Sequence, residues 1–316
     1  MSKDTERHHG PARKKGQAEN GRNGERPARG GCGDPRAEDN PCLRSPSYRL
    51  AFEDPDYLHA PFLRGTRLLL EYNKPERIMR EQGVRATVVV FGSARILPPD
   101  VAHRRLEEAE ARLESDPDNP ALQKKVKLAR RDLEMSHWYE EARRFAAIIS
   151  RHAEEAGRDD FVIMTGGGPG IMEAANRGAY ETGARSVGLN ITLEHEQFPN
   201  PYITPELCFQ FHYFAIRKMH FMLRARAMVA FPGGFGTLDE LFKVLTLVQT
   251  GKARRMPIVL VGRKFWTRLI DFDYLVEVGT ISPEDLELFE IVDTAEEAVK
   301  VIHDFYGGNP RHWNKR

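Results

Sequence analysis

The stretch AMVAFPGGFGTLDELFKVLTLVQTG, Ala227–Gly251, decides the fold. AMVAF is an apolar run of strand length. Pro232, Gly233, Gly234 and Gly236 follow and supply turn chemistry. LDELFKVLTLVQ then repeats apolar residues at helical spacing. Strand, glycine loop and helix in that order make half of a βαβ unit.

The same rhythm extends both ways. Upstream, ATVVVFGSAR is a β-branched strand feeding a glycine turn, and FVIMT followed by GGGPGIMEAANRGAYETG repeats strand, loop and helix. SVGLNI is a further strand, followed by an irregular loop through Pro205. CFQFHYFAIRKMHFMLRA holds a short strand and a helix. Downstream, PIVLVG is a strand and KFWTRLIDFDYLVEVG a helix, and FEIVD with the segment after it adds a last strand and helix. Alternation of this kind predicts an α/β fold with a doubly wound, Rossmann-like parallel sheet.

Residues 1–45 hold ten basic and seven acidic side chains and few aliphatics, so they are read as a disordered tail. Residues 46–84 are read as a helical extension, with helical periodicity over Leu58–Gln82. The nucleotide-binding catalytic domain is placed at 85–306, with a short tail at 307–316. Within that domain, charged Val101–Met135, broken by SDPDNP, reads as an inserted helical hairpin, a solvated excursion or subunit contact. His137–Ala156 is an amphipathic helix.

Composition removes some function classes. The chain of 316 residues carries a formal charge of +1, so no whole-chain basic field points to nucleic acid. No apolar span reaches the length of a membrane helix, and the N-terminus has no apolar core of a secretion signal. Cys32, Cys42 and Cys208 lack metal-ligand spacing, and the expected compartment is the reducing cytoplasm.

In an open parallel sheet, ligands bind beyond the carboxyl ends of the strands. Three glycine-bearing loops leave such ends: Phe91–Arg95, Thr165–Glu173 and Phe231–Glu240. Two lead directly into helices, whose free N–H groups suit phosphate. Neither of those two carries the Gly-Lys-Ser/Thr of a P-loop, nor a clean G-x-G-x-x-G with an acid about 20 residues on. Together the loops predict a nucleotide or sugar-phosphate ligand. The candidate binding set is Gly92, Ser93, Thr165, Gly166, Gly167, Gly168, Gly233, Gly234, Gly236, Thr237 and Lys218.

Glu240 has two readings. Thr237-x-x-Glu240 fits a capping box, with Thr237 capping the helix and Glu240 reaching back. Alternatively, Glu240 faces a ligand together with Arg217, which lies early in the preceding helix and so also at the carboxyl edge. A carboxylate and a guanidinium beside a phosphate are what cleavage of a sugar–base bond needs, because its transition state is oxocarbenium-like.

The pairing of AIRKMHFM with PGGFGTLDE, together with FGSAR and TGGGPGIMEAANRGA, resembles the LOG family of cytokinin riboside 5′-monophosphate phosphoribohydrolases. Relatives have also carried the label lysine decarboxylase-like. The resemblance spans residues 87–306. It implies a Rossmann-like sheet, a homo-oligomer (dimer or hexamer), no cofactor or metal, and hydrolysis of a nucleoside 5′-monophosphate to free base and ribose 5-phosphate. By position it makes Arg217 and Glu240 the catalytic pair and Gly233, Gly234, Gly236 and Thr237 the phosphate loop. Asp239 departs from the glutamate many relatives have there. The helical insertion and the ITLEHEQFPNPYITPEL loop resemble the longer bacterial type.

The expected activity is hydrolysis of purine nucleoside 5′-monophosphates, adenine-type with or without an N6 substituent. The alternative is a non-catalytic nucleotide-binding sensor or carrier on the same fold. A pyridoxal-dependent decarboxylase lacks a recognisable Schiff-base lysine. Other residues have quieter readings. Glu173 suits a helix dipole, Asn176 helix packing, and His212 and His220 hydrogen-bonded packing. One aromatic of FQFHYF is available to stack on a base. Glu194, His195 and Glu196 are consecutive and not at metal-ligand spacing.

Overall fold

The computed structural model describes residues 40–155, 161–193 and 198–307. Most of the tail expected at 1–45, nearly all of that at 307–316, and Glu194, His195 and Glu196 lie outside the described residues. The chain divides into two units, one ending at His59 and one beginning at Ala60.

In the first unit, α1 (Pro41–Arg44) is capped by Asn40, whose side chain accepts from the Cys42 amide at 3.0 Å. Helix α2 (Pro55–His59) follows Asp54, whose carboxylate accepts from the Asp56 and Tyr57 amides. Both are short helices with no buried residue.

The second unit opens with α3 (Arg64–Glu81), within the periodic stretch. Its sheet follows the expected alternation, with strands β1 (Thr87–Phe91), β2 (Val162–Thr165), β3 (Ser186–Ile191), β4 (Cys208–Phe211), β5 (Ala225–Ala230), β6 (Ile258–Val261) and β7 (Glu290–Val292). They form a sheet of order β4-β3-β2-β1-β5-β6-β7, with every pairing parallel. The insertion folds as α4 (Pro99–Ser115) and α5 (Pro120–Met135), and α6 (His137–Glu155) leads back to β2. The later helices are α7 (Ile171–Glu181), α8 (Phe214–Leu223), α9 (Phe235–Gln249), α10 (Arg263–Leu269), α11 (Phe272–Glu277) and α12 (Ala295–Phe305).

The strands read as unbroken apolar runs because both faces are covered. In β1, Val88 and Val90 enter one core, and Val89 and Phe91 enter the other. In β6, Val259 and Val261 oppose Ile258 and Leu260 in the same way. The first core is closed by Phe145 and Ile149 of α6, Ile171 of α7 and Ile302 of α12. The second is closed by Met79 of α3, Phe221 of α8, Leu241 and Val244 of α9 and Trp266 of α10. Each fully buried aliphatic side chain contributes about 1.5–3 kcal/mol.

One helix expected from the sequence is two. KFWTRLIDFDYLVEVG breaks at Ile270 and Asp271 into α10 and α11. Asp271 caps the second by accepting from the Tyr274 amide at 2.9 Å, so a local side chain outcompetes helix continuation.

The chain winds outward from β1 to β4, then crosses back to place β5 on the other side of β1. The sheet reverses between these strands, and a crevice opens at their carboxyl ends. The two loops there are joined: the Ser93 amide donates to the Pro232 carbonyl at 3.0 Å.

Candidate active site

That crevice is a cleft of about 900 Å³. Its lining includes all three glycine loops: Gly92 and Ser93 after β1, Gly166 after β2, and Gly233, Gly234, Gly236 and Thr237 after β5. Arg217, Lys218 and Glu240 line it as well. The structure thus gathers most of the residues singled out from the sequence.

Glu240 is not a helix cap. Helix α9 begins at Phe235 with Gly234 as its N-cap, and no side chain caps it. Thr237 therefore stands in the third helical position and Glu240 one turn deeper. The capping-box reading fails because the helix starts three residues earlier than that pattern requires. Freed of that role, the Glu240 carboxyl is almost fully buried, 5% exposed, at the cleft wall. Burial pushes it above the ordinary carboxylate range, and Lys243, Lys218 and Arg217 act against that shift.

Arg217 rises from the first turn of α8. Its Nε donates to the Leu189 carbonyl at 2.6 Å and its Nη2 to the Gly166 carbonyl at 3.3 Å. The guanidinium also lies 5.1 Å from the centre of the Phe221 ring. Burial lowers its proton affinity, and the charge of Glu240 opposes this. Arginine remains charged through shifts of this kind. A Cβ at Gly166 would fall 2.6 Å from Nη2 of Arg217, so glycine there makes room for the guanidinium.

The loop entering α9 leaves the helix start without a side-chain cap, a geometry that can accept an anion. The first amides of a helix have no partner within it and carry partial positive charge. Gly234 and Gly236 face open space, and no neighbour lies near a Cβ built on either. Gly233 is the reverse case: a Cβ there would meet Thr237 Oγ1 at 2.1 Å. Glycine at 233 lets the loop close on Thr237, and glycines at 234 and 236 leave the approach clear.

Not every candidate reaches the cleft. Thr165 is buried, with its hydroxyl donating to Asn176 Oδ1 at 2.7 Å and accepting from the Gly167 amide at 3.0 Å. Gly167 and Gly168 are buried beside it, and their carbonyls accept from Asn200 Nδ2 at 3.2 and 3.0 Å. These three residues build the floor under the second loop and do not line the cleft. Asn176 completes that network through Ser186 and Asn200, so helix packing is its role. Lys218 is ion-paired with Asp239 at 2.5 Å. Glu173 accepts from the Tyr139 hydroxyl at 2.8 Å and stays off the cleft.

The two histidines depart from their expected role. His220 is packed between the Tyr72 and Phe211 rings, with centroids at 5.5 and 5.3 Å, but neither ring nitrogen has a hydrogen-bond partner among the described residues. His212 is exposed.

Other parts of the site come from residues not singled out in the sequence. Arg131, Asp132 and Met135 of α5 line the cleft, so the inserted hairpin is a wall of the site and not a remote excursion. Phe265 and Leu269 of α10 add an apolar side, as do Phe214 and the highly exposed Phe235. Phe214 is the aromatic of FQFHYF that reaches the cleft, whereas Phe209 and Phe211 are core. Lys243 forms an ion pair with Glu240. Its three-residue spacing from Glu240 on a helix was the one available sequence signal. The insertion offered none, since its contact with the cleft is purely tertiary.

The chain is similar to known proteins over part of its length. The family model described as "Possible lysine decarboxylase" matches residues 172–302. The chain is 29% identical over 170 residues to "Cytokinin riboside 5′-monophosphate phosphoribohydrolase LOG1" of Arabidopsis thaliana, covering 52% of this chain and 76% of the relative. It is 26% identical over 170 residues to "Probable cytokinin riboside 5′-monophosphate phosphoribohydrolase LOGL3" of Oryza sativa subsp. japonica, covering 50% and 75%. Among solved structures, the molybdenum cofactor carrier protein from Chlamydomonas reinhardtii is 17% identical, covers 53% of this chain and 87% of that one, and gives a TM-score of 0.37. That likeness carries no inference about activity. The decarboxylase in the family description finds no support in the cleft: Lys218, the lysine that lines it, is committed to Asp239. By these matches the chain is similar to cytokinin riboside 5′-monophosphate phosphoribohydrolases of the LOG type over about half of its length.

Proposed function

We propose that the protein hydrolyses the N-glycosidic bond of purine nucleoside 5′-monophosphates, adenine-type with or without an N6 substituent, to free base and ribose 5-phosphate. The observation that carries this reading is Glu240: a buried carboxylate, relieved of helix capping, on the same cleft wall as Arg217. A protein that only held phosphate would need the loop but not the acid. The names of the relatives support the same reaction class.

In this mechanism the 5′-phosphate is held by the amides at the start of α9, beside Gly233, Gly234, Gly236 and Thr237. Gly92 and Ser93 line the cleft beside that loop. As the bond between C1′ and the base nitrogen breaks, positive charge develops on the sugar, and the Glu240 carboxylate stabilises it. Water adds at C1′ and Glu240 takes its proton; the base nitrogen leaves with the bonding electron pair and takes up that proton in turn, so the neutral base departs and Glu240 returns to its carboxylate. Arg217, fixed by two backbone carbonyls, orients the nucleotide. Phe214, Phe235 and Phe265 offer apolar surface to the base. Met219 and Leu223 on α8 and Phe242 on α9 are exposed apolar side chains, which a second copy of the chain would cover in a homo-oligomer.

The test is a chromatographic assay of purified protein with AMP, GMP, CMP, UMP, IMP and an N6-substituted AMP. Free base from a purine nucleotide, abolished in Arg217→Ala, is the expected result. Nucleotide binding by calorimetry without base release from any of them would make the protein a nucleotide carrier or sensor instead.

A further inference from the structure

We propose that Lys243 is a positioning residue for Glu240: it holds the buried carboxylate ionised and leaves one of its oxygens free for the reacting sugar. This rests on the hydrolytic reading above and deepens it.

A carboxylate this buried favours its protonated form, and a protonated Glu240 can neither steady an oxocarbenium ion nor accept a proton from water. The site therefore needs a cation against Glu240. Three cations face it: Arg217 and Lys218 from α8, and Lys243 from its own helix. Asp239, the other nearby acid, is engaged by Lys218. Two nitrogens of Arg217 are spent on the Leu189 and Gly166 carbonyls. Lys243 is thus the cation in direct contact with the carboxylate among the described residues.

Lys243 does not itself line the cleft. It sits behind Glu240, with Nζ also donating to the Lys218 carbonyl at 3.1 Å and lying 5.9 Å from the centre of the Phe221 ring. The backbone of α8, a ring face and the carboxylate therefore fix the ammonium from three sides. Its ion pair engages Oε2 of Glu240. Oε1 accepts no hydrogen bond among the described residues and is the oxygen available to the ligand. One acid oxygen is anchored and the other is presented.

The test compares wild type with Lys243→Met and Lys243→Arg. Steady-state rates are followed across pH, and Glu240 is titrated by carboxyl carbon-13 NMR, its signal identified by its loss in Glu240→Gln. Removing the ammonium should raise the acidic limb of kcat by about one pH unit or more. At neutral pH, kcat should fall about tenfold with KM changed less than about twofold. Lys243→Arg should keep the limb near its wild-type position. A Lys243→Met enzyme with lowered activity but an unmoved limb and an unmoved Glu240 titration would show a packing role only and overturn the proposal. Should Lys243→Met not fold, Lys243→Gln carries the same comparison. Wild-type protein that releases no base defeats the hydrolytic reading. The carbon-13 titration still decides whether Lys243 governs the ionisation of Glu240.

Discussion

Arg217 on α8 reaches across to β3 and donates from Nε to the Leu189 carbonyl at 2.6 Å. The bond joins the helix that carries the arginine to the carboxyl end of a strand, and a second bond to the Gly166 carbonyl sets the plane of the guanidinium. The group is oriented before any ligand arrives. A lysine would keep the charge but not this two-point hold. Arg217→Lys is expected to lower kcat/KM by about a hundredfold, measured by base release. Activity within threefold of wild type would show that charge alone suffices.

Glu240→Gln removes the charge while keeping shape and leaves the loop before α9 intact. It should retain nucleotide affinity by calorimetry and lose kcat by about 10²–10⁴. A fully active variant would remove Glu240 from the chemistry. In wild type, burial holds this carboxyl above its ordinary range. The carboxylate is therefore present at higher pH and is lost as pH falls through that raised value, so on the proposed mechanism the acidic limb should lie above the pKa of a free glutamate.

The glycines of the loop before α9 should separate into two kinds. Gly233→Ala would drive a Cβ into Thr237 Oγ1. It should lower both the melting temperature and nucleotide affinity. Gly236→Ala meets nothing and lies inside α9. It should fold normally and gain about 0.5–1 kcal/mol in the free protein. Equal melting temperatures for the two variants would contradict this geometry.

His220 makes stability depend on pH. Burial between Tyr72 and Phe211 lowers its proton affinity. As pH falls below about 6.5, the unfolded chain takes up a proton that the folded one resists. Stability is then lost progressively down to the lowered folded value. His220→Leu should flatten the melting-temperature profile in that window. An unchanged profile would place the effect elsewhere.

A second window lies at lower pH. Arg224 donates from Nη2 to Glu76 Oε1 at 2.8 Å and from Nε to the Val84 carbonyl at 2.9 Å. The bonded arginine holds the Glu76 carboxyl below its ordinary value. The pair stabilises the fold above the unfolded pKa of Glu76, and that contribution fades as pH falls through the folded value. Glu76→Gln should cost about 2 kcal/mol at neutral pH, read by urea denaturation, and much less at pH 3.

The parallel sheet, its seven strands and the meeting of three glycine loops were legible in the sequence. Those features follow from local period and from the rule that binding loops leave the carboxyl ends of strands. Strands such as VVVF and IVLV were legible because two buried faces need apolar residues at every position. That Glu240 is no helix cap emerged only from the tertiary structure. The Thr237–Glu240 spacing alone fits a cap, and whether it acts as one depends on the helix beginning at Phe235 or three residues later. Only the tertiary structure brought Arg131 and Met135 of the insertion to the cleft, because no local period records which face of a remote hairpin folds back. It also split the helix after β6, where Asp271 offered its own cap, and turned Thr165, Gly167 and Gly168 inward onto Asn176 and Asn200. Sequence pattern fixes where a backbone turns. The partners a side chain meets across that turn depend on chain segments far away along the sequence.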